Sequence, residues 1–332
     1  MELFTPGYYS KFRCIAAACP DSCCKEWAVD VDDRSAAYYR ALPGKLGDRL
    51  RAVLQDTDGG TVMTIENGRC PMWRQDGLCR IQAELGHDAL CRTCRDFPRL
   101  RHDYGDFVEL GLELSCPEAA RLILTSQEHA MTVVSQPGGE EPDYDPQIMQ
   151  ILRATRKQVL DLLDSTQYSL PEIIAITLLH SHTVQMQIDG ADPTPFDPVL
   201  CLAEAKQHAV SGDIGPIFSF FQGLEILTPQ WKKRLAQPPV PIQWTPPLRA
   251  FIKYMITRYW LQAISDFDLI PRVKLAVAGC LLVGSLGGDL VSTAQLFSKE
   301  IENDPDNVDA ILNGAYSTPA LTDQNLLSLL FS

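Results

Sequence analysis

The sequence predicts an α+β protein that is predominantly helical, with a small cysteine-rich α+β module followed by an all-α C-terminal half. Three observations support this fold class. Nine of the 11 cysteines precede residue 120, short alternating segments occupy the same part of the chain, and long helical patterns occupy the rest. At 332 residues the chain is long enough for a large core or for two ordinary domains, so it needs no covalent staples to fold.

The boundary between the two parts is expected at QPGGEEPDYDP, residues 136–146. This segment is rich in turn-forming and acidic residues and has little apolar content. We therefore expect a cysteine-rich metal or iron–sulfur module at 1–135, a linker or loop at 136–146 and an all-α domain at 147–332.

The N-terminal part predicts mixed secondary structure. Alternation predicts strands in EWAVDVD and DFVELGLELS, and an Asn-Gly pair predicts a hairpin-like turn within TVMTIENGRCPMW. Helical periodicity predicts helices in SAAYYRAL, GDRLRAVLQ and PEAARLILTS. Together these segments predict a small α+β module.

The C-terminal half shows longer helical patterns. They lie at 145–165, 170–188, 197–210 and 247–264, and in the run from Arg272 to Ile301. The glycine-rich GSLGGD, Gly284 to Asp289, ends an apolar helical run and does not follow a strand, so it predicts helix packing and termination and not a nucleotide-binding loop.

Charge and hydropathy exclude several functions. A net charge of −13 argues against a nucleic-acid partner, because phosphate binding needs a basic face. The longest apolar run, Leu275 to Leu286, is broken by glycines and is too short to cross a membrane. MELFTPGYYSKF lacks the basic and apolar regions of a signal peptide, so we expect a cytoplasmic protein with reduced thiols.

The clustered cysteines are the strongest chemical feature of the sequence. They are Cys14, Cys19, Cys23, Cys24, Cys70, Cys79, Cys91, Cys94 and Cys116. An odd number that includes a vicinal pair disfavours a complete disulfide framework. Zinc remains an alternative metal, although only Cys91 and Cys94 have the two-residue gap typical of zinc ligands.

An iron–sulfur cluster is the favoured interpretation. Proline follows Cys19, Cys70 and Cys116, as it follows some ligands in ferredoxin-type sequences. Arg95 and Arg99 are candidates to contact a bound cluster or cofactor, since cationic neighbours offset the negative charge of a tetrathiolate cluster. A solvated basic turn is the alternative for these arginines.

The remaining thiols and histidines have simpler explanations. A catalytic thiol needs a neighbour that lowers its pKa, and His87 and His102 are near the cysteines in sequence. Lone histidines are more often surface or capping residues. Cys201 and Cys280 lie among apolar residues, which predicts inert core thiols.

The order of the cysteine motifs is more specific than any one motif. PGYYSKFRCIAAACPDSCCKEWAVDVD, GRCPMWRQDGLCRIQAELGHDALCRTCRDFPR and ELSCPEAARLIL follow one another between residues 6 and 124. This arrangement resembles the flagellin lysine N-methylase family and its relatives with a CxxCxxCC-type cluster. FIKYMITRYW and FSKEIENDPDN in the helical half are similar to the family's C-terminal part.

The resemblance implies a cytoplasmic enzyme that transfers methyl groups from S-adenosylmethionine to flagellin lysines and carries a 4Fe-4S cluster. It also implies that the nine clustered cysteines are the candidate ligands, with about four needed for one cluster and about eight for two. Flagellin or another lysine-rich protein would be the partner.

Direct displacement by nitrogen is the expected route of methyl transfer. The common radical signature CxxxCxxC would need a third cysteine after Cys19 and Cys23, at the position held by Glu26. A lysine amine has a pKa of about 10.4 and must lose a proton before it attacks. Candidate proton acceptors are Tyr8, Tyr9, Asp21 and Glu118; core packing is the alternative for the tyrosines, and a turn or N-cap for the acids.

Two other functions stay open. One is an iron–sulfur or zinc protein in redox or metal handling without methyl transfer, and the other is a binding module with a purely structural metal. Residues 126–332 hold 13 Lys and Arg against 23 Asp and Glu, whereas residues 1–125 hold 16 against 19. The acidic half would attract a lysine-bearing partner, or it would simply keep the protein soluble.

Overall fold

A computed structural model describes residues 1–25, 28–126, 128–136 and 138–332. Within these ranges it shows an α+β protein whose strands all lie before residue 136 and whose remaining part is helical, which confirms the predicted fold class. No helix in the described ranges is long and apolar enough to cross a bilayer.

The strands form two sheets. They are β1 Glu2–Pro6, β2 Val29–Val31, β3 Leu54–Thr57, β4 Gly60–Met63, β5 Arg99–Asp103, β6 Phe107–Leu112 and β7 Met131–Ser135. The first sheet has the order β5-β6-β1-β7, with β1 parallel to β6 and antiparallel to β7. The second has the antiparallel order β2-β4-β3. The two sheets flank the cysteine-bearing loops.

The N-terminal part also contains short helices. They are α1 Asp33–Ala41, α2 Gly44–Val53, α3 Arg80–Leu85, α4 Arg92–Asp96 and α5 Pro117–Thr125. Asp32 caps α1 by accepting a hydrogen bond from the amide of Ser35 at 3.0 Å. The three helices expected in this part are confirmed as α1, α2 and α5, although Leu54 and Gln55 belong to β3 and not to the second helix.

The predicted turn and strands are present at shorter lengths. Asn67 and Gly68 both have positive φ, 53° and 73°, between Glu66 and Arg69, which exchange two backbone hydrogen bonds. This is the geometry that favours Asn-Gly in tight hairpins. The first expected strand is β2, and Glu26 and Trp27 at its expected start lie outside the described residues. The second is β6.

The helical half follows from Pro146. Its helices are α6 Pro146–Asp164, α7 Leu170–Ile188, α8 Pro198–His208, α9 Gly215–Gln222, α10 Pro229–Leu235, α11 Pro246–Tyr259, α12 Ile270–Leu286, α13 Leu290–Phe297, α14 Pro305–Gly314 and α15 Asp323–Leu330. The expected helices are confirmed, and the run from Arg272 to Ile301 is divided between α12, α13 and a π-helix at Ser298–Glu302.

GSLGGD ends α12 as expected. A Cβ on Gly284 would lie 2.8 Å from Cγ2 of Ile242, so close packing excludes a larger residue there. Gly287 and Gly288 follow the helix with φ of 66° and 75°, which a residue with a side chain rarely adopts. Both features match helix packing and termination.

Two hydrophobic cores of unequal size hold the fold together. The larger surrounds α12, which is buried along its whole length, and includes Trp231, Trp260 and Phe297. It also contains residues from before the 136–146 segment, such as Phe12 and Ile123. The division into 1–135 and 147–332 stays a prediction.

The smaller core lies between the second sheet and helices α1 and α2. Tyr39, Leu50 and Met72 are fully buried there. Cys70 and Cys91 are buried in the same cluster, and Cys24, Cys79 and Cys94 pack against it. This core therefore contains five of the clustered cysteines.

Candidate functional site

A cleft of about 540 Å³ lies where the cysteine-bearing loops meet the start of α5. Its walls come from the loop at 12–24, the turn at 77–79, helix α4 and the segment at 97–99. Seven of the clustered cysteines line it: Cys14, Cys19, Cys23, Cys24, Cys79, Cys94 and Cys116. The other two, Cys70 and Cys91, are buried in the smaller core. The fold thus gathers residues that are up to 102 positions apart in sequence.

Cys24 is the centre of the inner thiols, the five cysteines that belong to the smaller core or pack against it: Cys24, Cys70, Cys79, Cys91 and Cys94. The thiols of Cys23, Cys70 and Cys79 all raise the pKa of the Cys24 thiol, and the backbone oxygen of Cys24 accepts from the Cys70 amide at 2.8 Å. The bond from Cys24 lowers the pKa of Cys79 to about 6, against an opposing effect of burial. This interaction favours the thiolate of Cys79, the form that binds metal.

A second pair of thiols stands at the N-terminal end of α4. Cys91 is the N-cap of this helix, and Cys94 lies within its five residues. A hydrogen bond from the Cys94 side chain lowers the pKa of Cys91, while burial acts in the opposite direction. This pair is the CxxC of the sequence, now placed beside Cys79, whose charge acts on both thiols.

Three further thiols, Cys14, Cys19 and Cys116, line the same cleft. Cys14 is exposed, whereas Cys19 and Cys116 are half-buried. Burial, together with the charges of Cys19 and Cys23, raises the pKa of Cys116 to about 12. These mutual effects place Cys116 near thiols from the first loop, although the two segments are far apart in sequence.

Asp21 connects this loop to the helical half. Its carboxylate accepts hydrogen bonds from Lys25 and Lys299, both at 3.0 Å, and from Gln295 at 3.3 Å. Burial alone would raise the pKa of Asp21, but the charge of Lys299 and these hydrogen bonds hold it below the ordinary value. Gln295 also donates to the backbone oxygen of Ser115 at 2.7 Å.

Sequence reasoning missed Lys299 and Gln295. Both lie in the segment formed by α13 and the π-helix, 274 or more residues after Asp21. π-Helical turns often occur at functional sites, but no sequence pattern announces this one. The lysine within FSKEIENDPDN, which the structure shows to be buried, was the sequence feature that could have drawn attention to this segment.

The two predicted arginines both line the cleft. Arg95 is the last basic residue of α4, and its guanidinium lies 3.7 Å from Asp96. Arg99 lies over the ring of Phe12, with 5.2 Å between the guanidinium carbon and the ring centroid. Both therefore line the same cleft as the thiols, and their contact with a cluster or cofactor stays a prediction.

Of the four proton-acceptor candidates, Asp21 lines the cleft. Tyr8 is buried in the larger core against His129, with ring centroids 5.6 Å apart. Tyr9 is half-buried near Arg99, whose charge partly offsets the rise in the pKa of Tyr9 on burial. Glu118 is paired with Arg121 at 2.6 Å on α5. In the described part of the chain these three residues are not among those that line the cleft.

The donor set fits a metal–thiolate centre. The cysteines of the cleft converge, and cationic arginines stand beside them. His87 and Asp96 also line the cleft, whereas His102 is buried elsewhere and its pKa is lowered by burial. Burial raises the pKa of Cys201 and Cys280, as expected for inert thiols.

The fold and the site define a cysteine-rich α+β protein with a thiol-lined cleft in its N-terminal part, followed by a helical half. The chain belongs to the family of the flagellar biosynthetic protein FliU and the lysine-N-methylases. It is 33% identical to FliU of Salmonella muenchen over 133 residues, which cover 37% of this chain and 77% of FliU. The resemblance inferred from the cysteine motifs is thus confirmed.

Two lysine-N-methylases show the same similarity. Those of Salmonella typhimurium and Salmonella choleraesuis are each 33% identical to this chain over 133 residues. The match covers 37% of this chain and 32% of either methylase, so it spans about a third of their length. The chain is therefore homologous to methyltransferases. No protein-family model matches the sequence, and no solved structure matches it.

Proposed function

We propose that this protein is a protein-lysine N-methyltransferase that takes its methyl group from S-adenosylmethionine and acts on flagellin lysines in the cytoplasm. The observation that carries the proposal is the 33% identity to two lysine-N-methylases and to a flagellar biosynthetic protein. The names of these relatives supply the reaction and the flagellar substrate.

The cleft cysteines are proposed to hold a 4Fe-4S cluster, with zinc as the alternative metal. The convergence of seven cysteines in one cleft and the lowered pKa of Cys79 support this assignment. When bound, such a cluster would supply redox chemistry to the cleft. Arg95 and Arg99 would offset its negative charge or contact the carboxylate of the methyl donor.

Methyl transfer itself needs a neutral amine and an aligned donor. A bond forms between the lysine nitrogen and the methyl carbon, while the carbon–sulfur bond breaks and its electron pair stays on sulfur. The proton of the lysine ammonium must leave before the attack. Asp21 is ion-paired and its pKa is lowered, so its better supported role is to position the cysteine loop.

His87 is the more suitable proton acceptor among the residues that line the cleft. It begins a 3-10 helix at His87–Ala89, directly after the cysteine-bearing turn and α3. Imidazole is the side chain that most readily exchanges protons near neutral pH. The acidic helical half would raise the encounter rate with a lysine-rich partner at low salt.

A second candidate function is an iron–sulfur or zinc protein without methyl transfer, serving redox or metal handling. One contrast favours it: the structure contains a thiol-lined cleft suited to metal, whereas the sequence contains no nucleotide fingerprint that would indicate a site for the methyl donor. The two candidates differ in whether the loaded protein consumes S-adenosylmethionine.

The deciding experiment starts with protein purified without oxygen. Iron, acid-labile sulfide and zinc are measured per chain, and the protein is then incubated with labelled S-adenosylmethionine and flagellin, with methyllysine read by mass spectrometry. We expect methyl transfer by the wild type, loss of both colour and activity in Cys94→Ser, and neither loss in Cys201→Ser. Cys201 is a half-buried thiol of α8 outside the cleft, which makes it the matched control.

Two results would reject the proposal. Metal-loaded protein that transfers no methyl group would favour the redox or metal-handling function. Full activity in Cys94→Ser would separate the reaction from the cleft thiols.

A further inference from the structure

We infer that the edge of the first sheet at β7 is a docking site for an extended segment of a partner protein, whose apolar side chains and acidic residue enter a cavity beside helix α6. The site is separate from the proposed methyl transfer. Among the described residues, none lines both this cavity and the thiol-lined cleft.

Strand β7, Met131–Ser135, offers backbone groups to another strand. In the described part of the chain it is the last strand of the order β5-β6-β1-β7 and pairs with β1 alone. In an antiparallel pair, every second residue directs its N–H and C=O groups away from the neighbouring strand. An extended peptide can pair with such an outer side by strand addition.

The side chains of this edge are apolar and exposed. Val133 and Val134 are 50% and 52% exposed, and the strand MTVVS contains neither a charged residue nor proline. Proteins commonly protect edge strands with charges, proline or bulges, because an apolar edge pairs with other chains. An apolar edge without this protection is typical of a surface that binds a partner.

The cavity lies on one face of the same sheet. It has a volume of about 700 Å³ and is bounded by β1, β6 and β7, by α6 and by the segment at 142–146. Its apolar walls include Phe4, Met131, Val133 and Met149. A volume of this size is in the range of specific binding sites.

The register of the sheet joins the edge to the cavity. Val133 is paired with Phe4, and Phe4 is paired with Glu109. All three line the cavity, as expected for paired residues, whose side chains project to the same face. A strand added beside Val133 would place the next side chain of this row at the cavity, and every second residue would project to the same face.

The two carboxylates that line the cavity are engaged within the protein. Glu109 accepts two hydrogen bonds from the guanidinium of Arg156, one of them at 2.8 Å, and both residues are buried. Asp106 accepts a hydrogen bond from the hydroxyl of Tyr144 at 2.6 Å. The pair of Glu109 and Arg156 therefore adds no net charge to the cavity.

Arg153 of α6 is the cation that an incoming side chain would meet. Its guanidinium carbon lies 5.2 Å from the ring centroid of Phe4 and 4.6 Å from that of Phe107. Stacking orients a guanidinium and leaves its N–H groups available for a carboxylate. Glu2, its ion-pair partner among the described residues, is 3.9 Å away, which exceeds hydrogen-bonding distance. With the 75% exposed Lys157, Arg153 favours a partner segment that carries an acidic residue.

Peptide binding tests the docking site without any reaction. The probe is the fluorescein-labelled peptide Thr-Val-Thr-Val-Thr-Asp-Thr, which presents both valines and the aspartate on one face of a strand. Fluorescence anisotropy is measured with full-length protein purified without oxygen. We expect saturable binding, and binding at least about tenfold weaker when lysine replaces the aspartate, because like charges oppose each other across an interface. No saturable binding, or equal affinity for both peptides, would overturn the inference.

Alternate N-methylation distinguishes strand addition from other kinds of binding. One derivative carries methyl groups on the amide nitrogens of the two valines, and the other on those of the two inner threonines. Because only one of these sets can face β7, one derivative should lose binding and the other should keep it. Equal binding of the two derivatives would exclude strand addition.

Variants of Arg153 test the charge assignment. Arg153→Glu should reverse the preference and bind the lysine peptide more tightly than the aspartate peptide. Arg40→Met is the control, since Arg40 is a 43% exposed arginine of α1 outside the cavity, and it should keep both wild-type affinities. An unchanged preference in folded Arg153→Glu would overturn the inference. If this variant fails to fold, the N-methylated peptides still decide with the wild type.

A second copy of this chain is the competing occupant. We expect a monomer in sedimentation without peptide. A dimer that Val133→Lys dissociates and that the aspartate peptide leaves intact would assign the edge to self-association and reject the docking site. Methyl transfer is measured separately: a lack of peptide binding leaves the methyltransferase standing, and a lack of methyl transfer leaves the docking site standing.

Discussion

The two hydrophobic cores differ in what they bury. The larger core consists mainly of aliphatic and aromatic side chains around α12 and buries one thiol, Cys280, whereas the much smaller second core buries Cys70 and Cys91 and borders three further thiols. Packing of apolar surface supplies stability by itself. A small core that includes ligand side chains gains less stability from apolar packing. Its folded structure therefore depends on whether those ligands bind a metal.

Removal of metal should have the largest effect, and it should change the stability of the smaller core much more than that of the larger one. When the protein is stripped of metal under reducing conditions, we expect amide exchange in β2 and β4 to rise by at least ~100-fold, because a site occupied at 100 times its Kd stabilises by about 2.7 kcal/mol. Exchange in α7 and α12 should change little. Hydrogen exchange with mass spectrometry on the full chain measures both. A uniform rise in both regions would contradict the comparison.

Acid should act on the helical half through His180. This residue of α7 is 2% exposed against Phe196, and burial lowers its pKa to about 4. The unfolded state takes up the proton near pH 6.5, so stability should fall as pH drops from about 6.5 to about 4, by roughly 3 kcal/mol.

The variant His180→Leu should lose this pH dependence. Urea unfolding followed by the fluorescence of the buried Trp231 and Trp260 reports on the same core. The exposed His208 provides the control variant, His208→Gln, which should keep the wild-type profile. Identical profiles for wild type and His180→Leu would show that another group is responsible.

Loss of the contact between Asp21 and Lys299, which links the two regions, should have the smallest effect. Lys299→Met removes one cation from Asp21, which keeps its hydrogen bonds to Lys25 and Gln295. Hydrogen bonds to charged groups contribute about 1.5–3 kcal/mol, so we expect a loss of about 1–3 kcal/mol in unfolding free energy and faster exchange in the loop at 14–25. The 75% exposed Lys157, paired with Asp161, is the control: Lys157→Met should cost about 0.5 kcal/mol or less. Equal costs would contradict a special role for Lys299.

Much of the fold was predictable because its signals are local. Helix α6 begins with a capping residue and proline and continues with a clear apolar period, and α7 begins with a capping box and proline. Strands β1 and β7 were missed, since they are five residues each and pair across more than 120 positions, as in Glu2 with Ser135. Pairing of that kind leaves no short-range pattern.

The candidate site was predictable by residue type and not by geometry. The cysteines, Arg95 and Arg99 were identified because their chemistry is distinctive, and seven of the cysteines and both arginines line the cleft. Proximity in sequence did not predict the positions of Tyr8 and Glu118, whose side chains face the larger core and Arg121. Lys299 reaches Asp21 only through tertiary packing.

The contact between Asp21 and Lys299 also implies an order of events during synthesis of the chain. The two residues are 278 positions apart, and a ribosome that adds ~5–20 residues per second needs roughly 14–56 s to synthesise that interval. The thiols of the first loop therefore leave the ribosome long before the helical segment that covers Asp21 exists. A metal centre can be assembled during this interval, while the loop is still accessible to other proteins of the cell.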